Sequence, residues 1–198
     1  MAVTVYRWDD PDAPVLSNPS AGSLIGVLDA CLVNGYGTKP AAGWTKEFSG
    51  TNLAAYRQGA GSMCYLRVND GTGSFKATAR GYESMTDVDT GTNDFPTAAQ
   101  LVNGIYIALS TSVTAVQKPW IVLADEKRFY LWTGASALTT DSALSTSTTW
   151  QGLFFFGDIV SFRPGDTYCC QIAGSESATN ATERFGLGGA ISSVNAGC

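Results

Sequence analysis

Side chains able to move protons, hold metals or attack carbonyl carbons are scarce in this sequence, and histidine is absent altogether. That absence removes the usual base of Ser-His-Asp and Cys-His machinery and the HExxH metalloprotease pattern. The nucleophile elbow GxSxG, the phosphate-cradling GxxxxGK[ST] and the dinucleotide fingerprint GxGxxG are missing as well. What remains for catalysis is carboxylate chemistry, as in glycoside hydrolysis, which needs only two suitably placed acids. The candidates are Asp87, Asp89, Asp125, Glu126, Asp158 and Asp166. Their neighbourhoods favour a structural role. Asp87 and Asp89 lie in the turn-like TDVDTGTND, Asp125 and Glu126 at a hairpin tip, and Asp166 in PGD, where short acids stabilise turns by bonding to nearby backbone. No catalytic residue is assigned on this basis, and an enzyme is not expected.

Metal sites fare similarly. Asp87, Asp89, Asn93 and Asp94 offer hard oxygens for calcium, but the twelve-residue loop with Gly at its sixth place and Glu at its twelfth is absent, so a solvated loop is the favoured reading. Five cysteines, Cys31, Cys64, Cys169, Cys170 and Cys198, show no CxxC spacing and have no histidine to complete a zinc set. Neither metal nor cofactor is expected. Most of these thiols read as reduced and buried, since free cysteine packs as a small hydrophobe. Cys198 is the exception: it ends a glycine-containing tail, SSVNAGC, and is a candidate for an intermolecular disulfide.

The aromatic residues are the remaining constellation. Trp44, Tyr56, Tyr65, Trp120, Tyr130, Trp132 and Trp150 sit mostly within strand-like alternations, which favours core packing first, interface anchoring second and sugar stacking third. Trp44, Tyr56, Trp132 and Trp150 are the candidate interface anchors.

The elements that must position these residues read mainly as β. A helix is expected over about 20–34, where Leu24, Leu28, Cys31 and Leu32 share one face, Ser20 or Ser23 offers an N-cap, and Asn34-Gly35 offers a left-handed stop. Afterwards the apolar period changes to two. WTKEF, LAAYR, MCYLRVND, SFKATARGY, GIYIALS, WIVLA, KRFYLW, FFFGDIVSF and TYCCQIA read as strands of about five to nine residues. WIVLADEKRFYLW is the clearest hairpin. SALTTDSALSTSTTW reads as a long exposed loop. The expected fold is therefore an antiparallel β-sandwich or barrel-like domain over residues 1–173, with one short N-terminal helix packed on the sheet. Residues 174–198 are expected to be an extension that orders on assembly.

Totals narrow the class further. At 198 residues the chain is long enough to remove roughly 70% of its unfolded surface from water as one domain. Charged residues are only 15%, below the usual value of about 25%, which suits a surface covered by partners. A net charge of −5 without a basic run leaves no footprint for nucleic acid. The start MAVTVYRWDDPDAP has no leader pattern, and no window approaches the ~20 apolar residues of a membrane helix, so a soluble protein made in the cytosol, with no membrane partner, is expected.

The order VLDACLVNGYG, KPAAGWTKEFSGTN, AAYRQG, YLRVNDG, RGYESMTDVDTGT, FPTAAQ, KPWIVLADEKRFYLW and FFGDIVSFRPGDTY resembles uncharacterised, virion-associated proteins of tailed bacteriophages and prophages over most of residues 5–170. That resemblance implies a structural component of a virion, at the neck or tail or as capsid decoration, made in the bacterial host cytoplasm. Its partners would be other virion proteins and copies of itself. A glycan-binding module for host attachment is the alternative, and a carboxylate glycosidase or depolymerase ranks third.

Overall fold

A computed structural model describes residues 2–16, 21–74, 76–109, 118–133, 152–160, 168–174 and 190–194. Among them are twelve strands: β1 (Thr4–Arg7), β2 (Thr45–Gly50), β3 (Leu53–Arg57), β4 (Tyr65–Ser74), β5 (Lys76–Asp87), β6 (Thr90–Phe95), β7 (Ile105–Ala108), β8 (Trp120–Ala124), β9 (Arg128–Thr133), β10 (Gly152–Val160), β11 (Tyr168–Gly174) and β12 (Ala190–Val194). They form two antiparallel six-stranded sheets. The first runs β1-β8-β9-β10-β11-β12; the second runs β2-β3-β4-β5-β6, with β7 beside the start of β5. Lys76–Ala79 of the long β5 pairs with β7, and Gly81–Asp87 pairs with β6. The fold is mainly β, as the alternating pattern implies.

Period-two alternation places one set of side chains from each sheet in a shared core. From the first sheet come Tyr6, Trp120, Val122, Phe129, Leu131, Phe154, Phe156 and Ile172, and from the second Tyr56, Leu66, Val68, Ala79, Phe95 and Ile105. Rings lock the two layers together. Trp44 meets Phe129 edge-on at 5.7 Å and Phe156 at 5.9 Å, and Phe95 stacks on Phe156 at 6.1 Å. Each large side chain so buried contributes about 1.5–3 kcal/mol.

The helix lies within the expected span, with two differences. It is α-helical only over α1 (Ser23–Leu28) and continues as a wider π-helical segment, Asp29–Asn34. Leu24, Leu28, Cys31 and Leu32 are all fully buried, as their shared face requires. Gly35 stops it at φ 76°, and its N–H donates to Ala30 O at 2.8 Å. The last carbonyls are then taken by the returning chain: Ala42 N–H donates to Cys31 O, and Trp44 N–H to Leu32 O, both at 3.0 Å. The expected serine cap does not hold. Gly22 stands at the cap position without a side-chain bond, Ser23 is the first helical residue, and Ser20 lies outside the described residues. Asp70 of β4 takes over the capping, because its carboxylate accepts the Leu24 N–H.

Residue 173 falls within a strand. β11 runs through Gly174, and β12, inside the expected extension, pairs with it from Cys170↔Val194 to Gly174↔Ala190. SALTTDSALSTSTTW lies outside the described residues.

Candidate functional site

Of the described catalytic candidates, Asp87, Asp89, Asp125 and Asp158 have carboxylates engaged in structural bonds. Asp87 accepts its neighbour's Val88 N–H at 2.7 Å, and Asp89 is bonded to Arg67, with Nε at 2.8 Å. Asp125 closes the β8–β9 hairpin, accepting the N–H groups of Lys127 at 2.8 Å and Arg128 at 3.0 Å. Glu126 stands at the same turn, where its carbonyl accepts the Gly59 and Ala60 N–H groups. Asp158 is fully buried; it accepts Ser62 N–H at 2.8 Å and Gln58 Nε2–H at 3.2 Å, holding the β3–β4 loop against β10. Asp166 lies outside the described residues.

The four calcium candidates are dispersed among other partners. Asp94 pairs with Arg80 at 2.9 Å, Asn93 donates to Glu83, and Asp89 is taken by Arg67. Among the described residues, no three His, Cys, Asp or Glu side chains stand close enough to hold a metal ion. The stretch TGTNDF, read from sequence as part of a solvated turn, is strand β6. Its Gly, Asn and Asp have weak strand preference, and pairing with β5 overrides it.

Two of the candidate interface anchors belong to the core. Trp44 is 3% exposed and donates Nε1–H to Asp125 O at 2.7 Å; Tyr56 is 0% exposed and donates to Asp29 Oδ1 at 2.8 Å. The sandwich encloses both between its layers, the core packing that strand alternation favours ahead of interface anchoring. Burial, reinforced by the Asp29 carboxylate, raises the Tyr56 phenol well above its ordinary pKa. Trp150 and Cys198 lie outside the described residues. Among the three described candidates, Trp132 alone lies on an outer face.

That face is the most distinctive surface of the first sheet. Strand register sets Val5 beside Leu123, Leu123 beside Tyr130, Tyr130 beside Phe155, and Phe155 beside Ala173, giving one apolar row across five strands. The next row runs Arg7, Ile121, Trp132, Leu153. Alternation turns both rows away from the core, because the intervening Tyr6, Val122, Leu131 and Phe154 are buried inside it. Val5 is 44% and Tyr130 37% exposed and Leu123 is half-buried, whereas Phe155 and Ala173, each 7% exposed, are already covered within the chain. The Tyr130 ring stacks on Trp132 at 6.0 Å and leans on Phe155 at 4.7 Å. Beside it is an open hollow of about 280 Å³ lined by Val3, Leu123, Ala124, Asp125, Arg128 and Tyr130. The sequence carries a signal for this: WIVLA and KRFYLW are apolar at both parities, which marks strands apolar on two faces.

The adjoining edge is chemically closed. Trp8 N–H donates to Trp120 O in phase with the pairing, so the backbone groups of Val5 and Arg7 face the open side of β1. Side chains occupy them: Lys39 Nζ donates to Val5 O at 2.9 Å, while Arg7 N–H is shared by Asp10 Oδ2 at 2.8 Å and the Tyr36 hydroxyl at 3.1 Å. A neighbouring strand is thereby denied its hydrogen bonds, which protects against edge-to-edge aggregation. Searches against models of protein families, curated proteins and solved structures find no match to this chain.

Proposed function

We propose that this chain is a non-enzymatic structural component of a tailed-bacteriophage particle, at its neck or tail, assembling with copies of itself through the outer face of the first sheet. The observation that carries the assembly role is the Val5, Leu123, Tyr130 row, backed by the buried Phe155, with the half-buried Ile121, Trp132 and Leu153 beside it. Aromatic residues among aliphatic ones, with charge confined to the rim at Arg7 and Arg128, form the composition of an interface core. The phage setting rests on the resemblance carried by segments such as KPWIVLADEKRFYLW and FFGDIVSFRPGDTY.

A glycan platform calls for exposed rings beside polar groups that bond sugar hydroxyls. Tyr130 adjoins Leu123, Phe155 and Trp132 on this face, and the polar groups in the hollow beside it, Asp125 and Arg128, are paired with each other at 3.5 Å. A map of the particle encoded with this chain, at a resolution that traces the backbone, tests the reading. Repeated copies about the tail axis with Tyr130 and Leu123 covered by a neighbour support it. A particle containing no copy of the chain, or specific binding of host polysaccharide by the purified protein, overturns it.

A further inference from the structure

Outside the apolar face, the densest reactive cluster is buried where the β3–β4 loop meets β10 and β11. Gln58 Oε1 accepts the Cys64 N–H at 2.7 Å, and Gln58 Nε2 donates to both Lys127 O and Asp158 Oδ1. The loop passes so close to β10 that a Cβ on Gly61 would fall 1.9 Å from Asp158 Oδ2. Asp158 is in turn the cross-strand partner of Cys170. This chain of bonds brings Cys64, at the end of the loop that enters β4 of the second sheet, against Cys170, on β11 of the first. Both are fully buried and reduced, and their thiols are in hydrogen-bond contact. Cys169, the next residue, is partly exposed, and alternation turns it to the opposite face of β11.

We propose that Cys64 and Cys170 are a latent disulfide that, once oxidised, covalently joins the two sheets of the sandwich. The oxidant is a peroxide. The two S–H bonds and one O–O bond break, one S–S bond forms, and the two sulfurs together give up an electron pair and two hydrogens, releasing two waters. Burial keeps the pair reduced at first, because desolvation raises the Cys170 thiol far above its ordinary pKa and starves it of the reactive thiolate. Oxidation therefore follows opening of the Gly59–Met63 loop. Met63 holds a positive φ of 59° directly before Cys64, a conformation that costs about 1–2 kcal/mol and is relieved when the loop opens. The cross-link would close a loop of roughly a hundred residues and restrict the unfolded chain accordingly. It needs no partner chain.

The test uses the full-length protein, oxidised with hydrogen peroxide, blocked with N-ethylmaleimide and digested without reductant. The expected result is a peptide pair joining Cys64 to Cys170, a loss of two thiols per chain in denaturant, and a rise of roughly 10 °C in Tm that reductant reverses. Cys64→Ser and Cys170→Ala should each abolish the pair and the rise. Recovery of Cys64 and Cys170 as free thiols while Cys169 is oxidised overturns the proposal, as does a Cys64 or Cys170 disulfide to any other cysteine. The peptide map of the unaltered protein decides the matter even where a variant fails to fold.

Discussion

The carboxylate of Asp70, on β4, accepts the backbone N–H of Leu24, 46 residues away, at 2.8 Å. A strand thus caps the helix whose apolar face covers the core. Burial is the chief influence on this acid and pushes its pKa up to about 6, against the opposing bonds from Leu24, Ile25 and Gly22. Between about pH 4 and pH 6 the folded protein retains a proton that the unfolded chain has released. Stability from Asp70 is therefore complete below pH 4 and lost as pH rises through 6.

Asp70→Asn, neutral at every pH, removes that loss. Relative to the unaltered protein, the variant should gain up to about 3 kcal/mol between pH 4 and pH 7 in urea unfolding. Parallel pH profiles for the two proteins would refute the assignment.

Asp158 offers a second test, because its role is to bond the β3–β4 loop. Asp158→Ala strands the Ser62 N–H and leaves Gln58 Nε2 with Lys127 O alone, at a cost of about 1–3 kcal/mol. Chemical denaturation measures this directly; a cost below about 0.5 kcal/mol would show that the loop is held by something else.

Trp44→Phe keeps most of the ring contacts with Phe129 and Phe156 but loses the bond to Asp125 O. A loss of about 1–3 kcal/mol is expected from leaving that carbonyl unsatisfied. Because Trp44 is enclosed by the sandwich, this substitution should leave self-association unchanged in light scattering, whereas an interface anchor would weaken it.

The β1 edge provides a fourth. Lys39→Ala with Asp10→Ala frees Val5 O and one partner of Arg7 N–H. The double variant should form thioflavin-positive aggregates at concentrations where the parent solution stays clear. Equal behaviour would mean that the edge needs no such cover.

Much of the architecture is legible in local pattern. The Leu24, Leu28, Cys31, Leu32 spacing yields the helix, and nine segments rich in β-formers coincide with strands; burial follows the two-residue period in β8 and β9, whereas β3 and β10 bury consecutive residues. Long-range events are not legible in that way. β6 is a strand through pairing with β5, despite TGTNDF. Asp70 caps α1 from a distant strand, leaving no local signature. Of the aromatic residues, type alone does not separate Trp44, enclosed between the sheets, from Trp132, turned outward. That distinction depends on which parity of each strand faces inward, and both parities of WIVLA and KRFYLW are apolar.

Sedimentation equilibrium bears most directly on the outer face as the assembly surface, comparing the parent protein with Val5→Glu combined with Tyr130→Glu. Both positions point away from the core, so the variant should keep a Tm within a few degrees of the parent. The parent should gain mass above the monomer as concentration rises, while the variant stays monomeric. Equal self-association of the two, or a parent that remains monomeric throughout, would contradict the account.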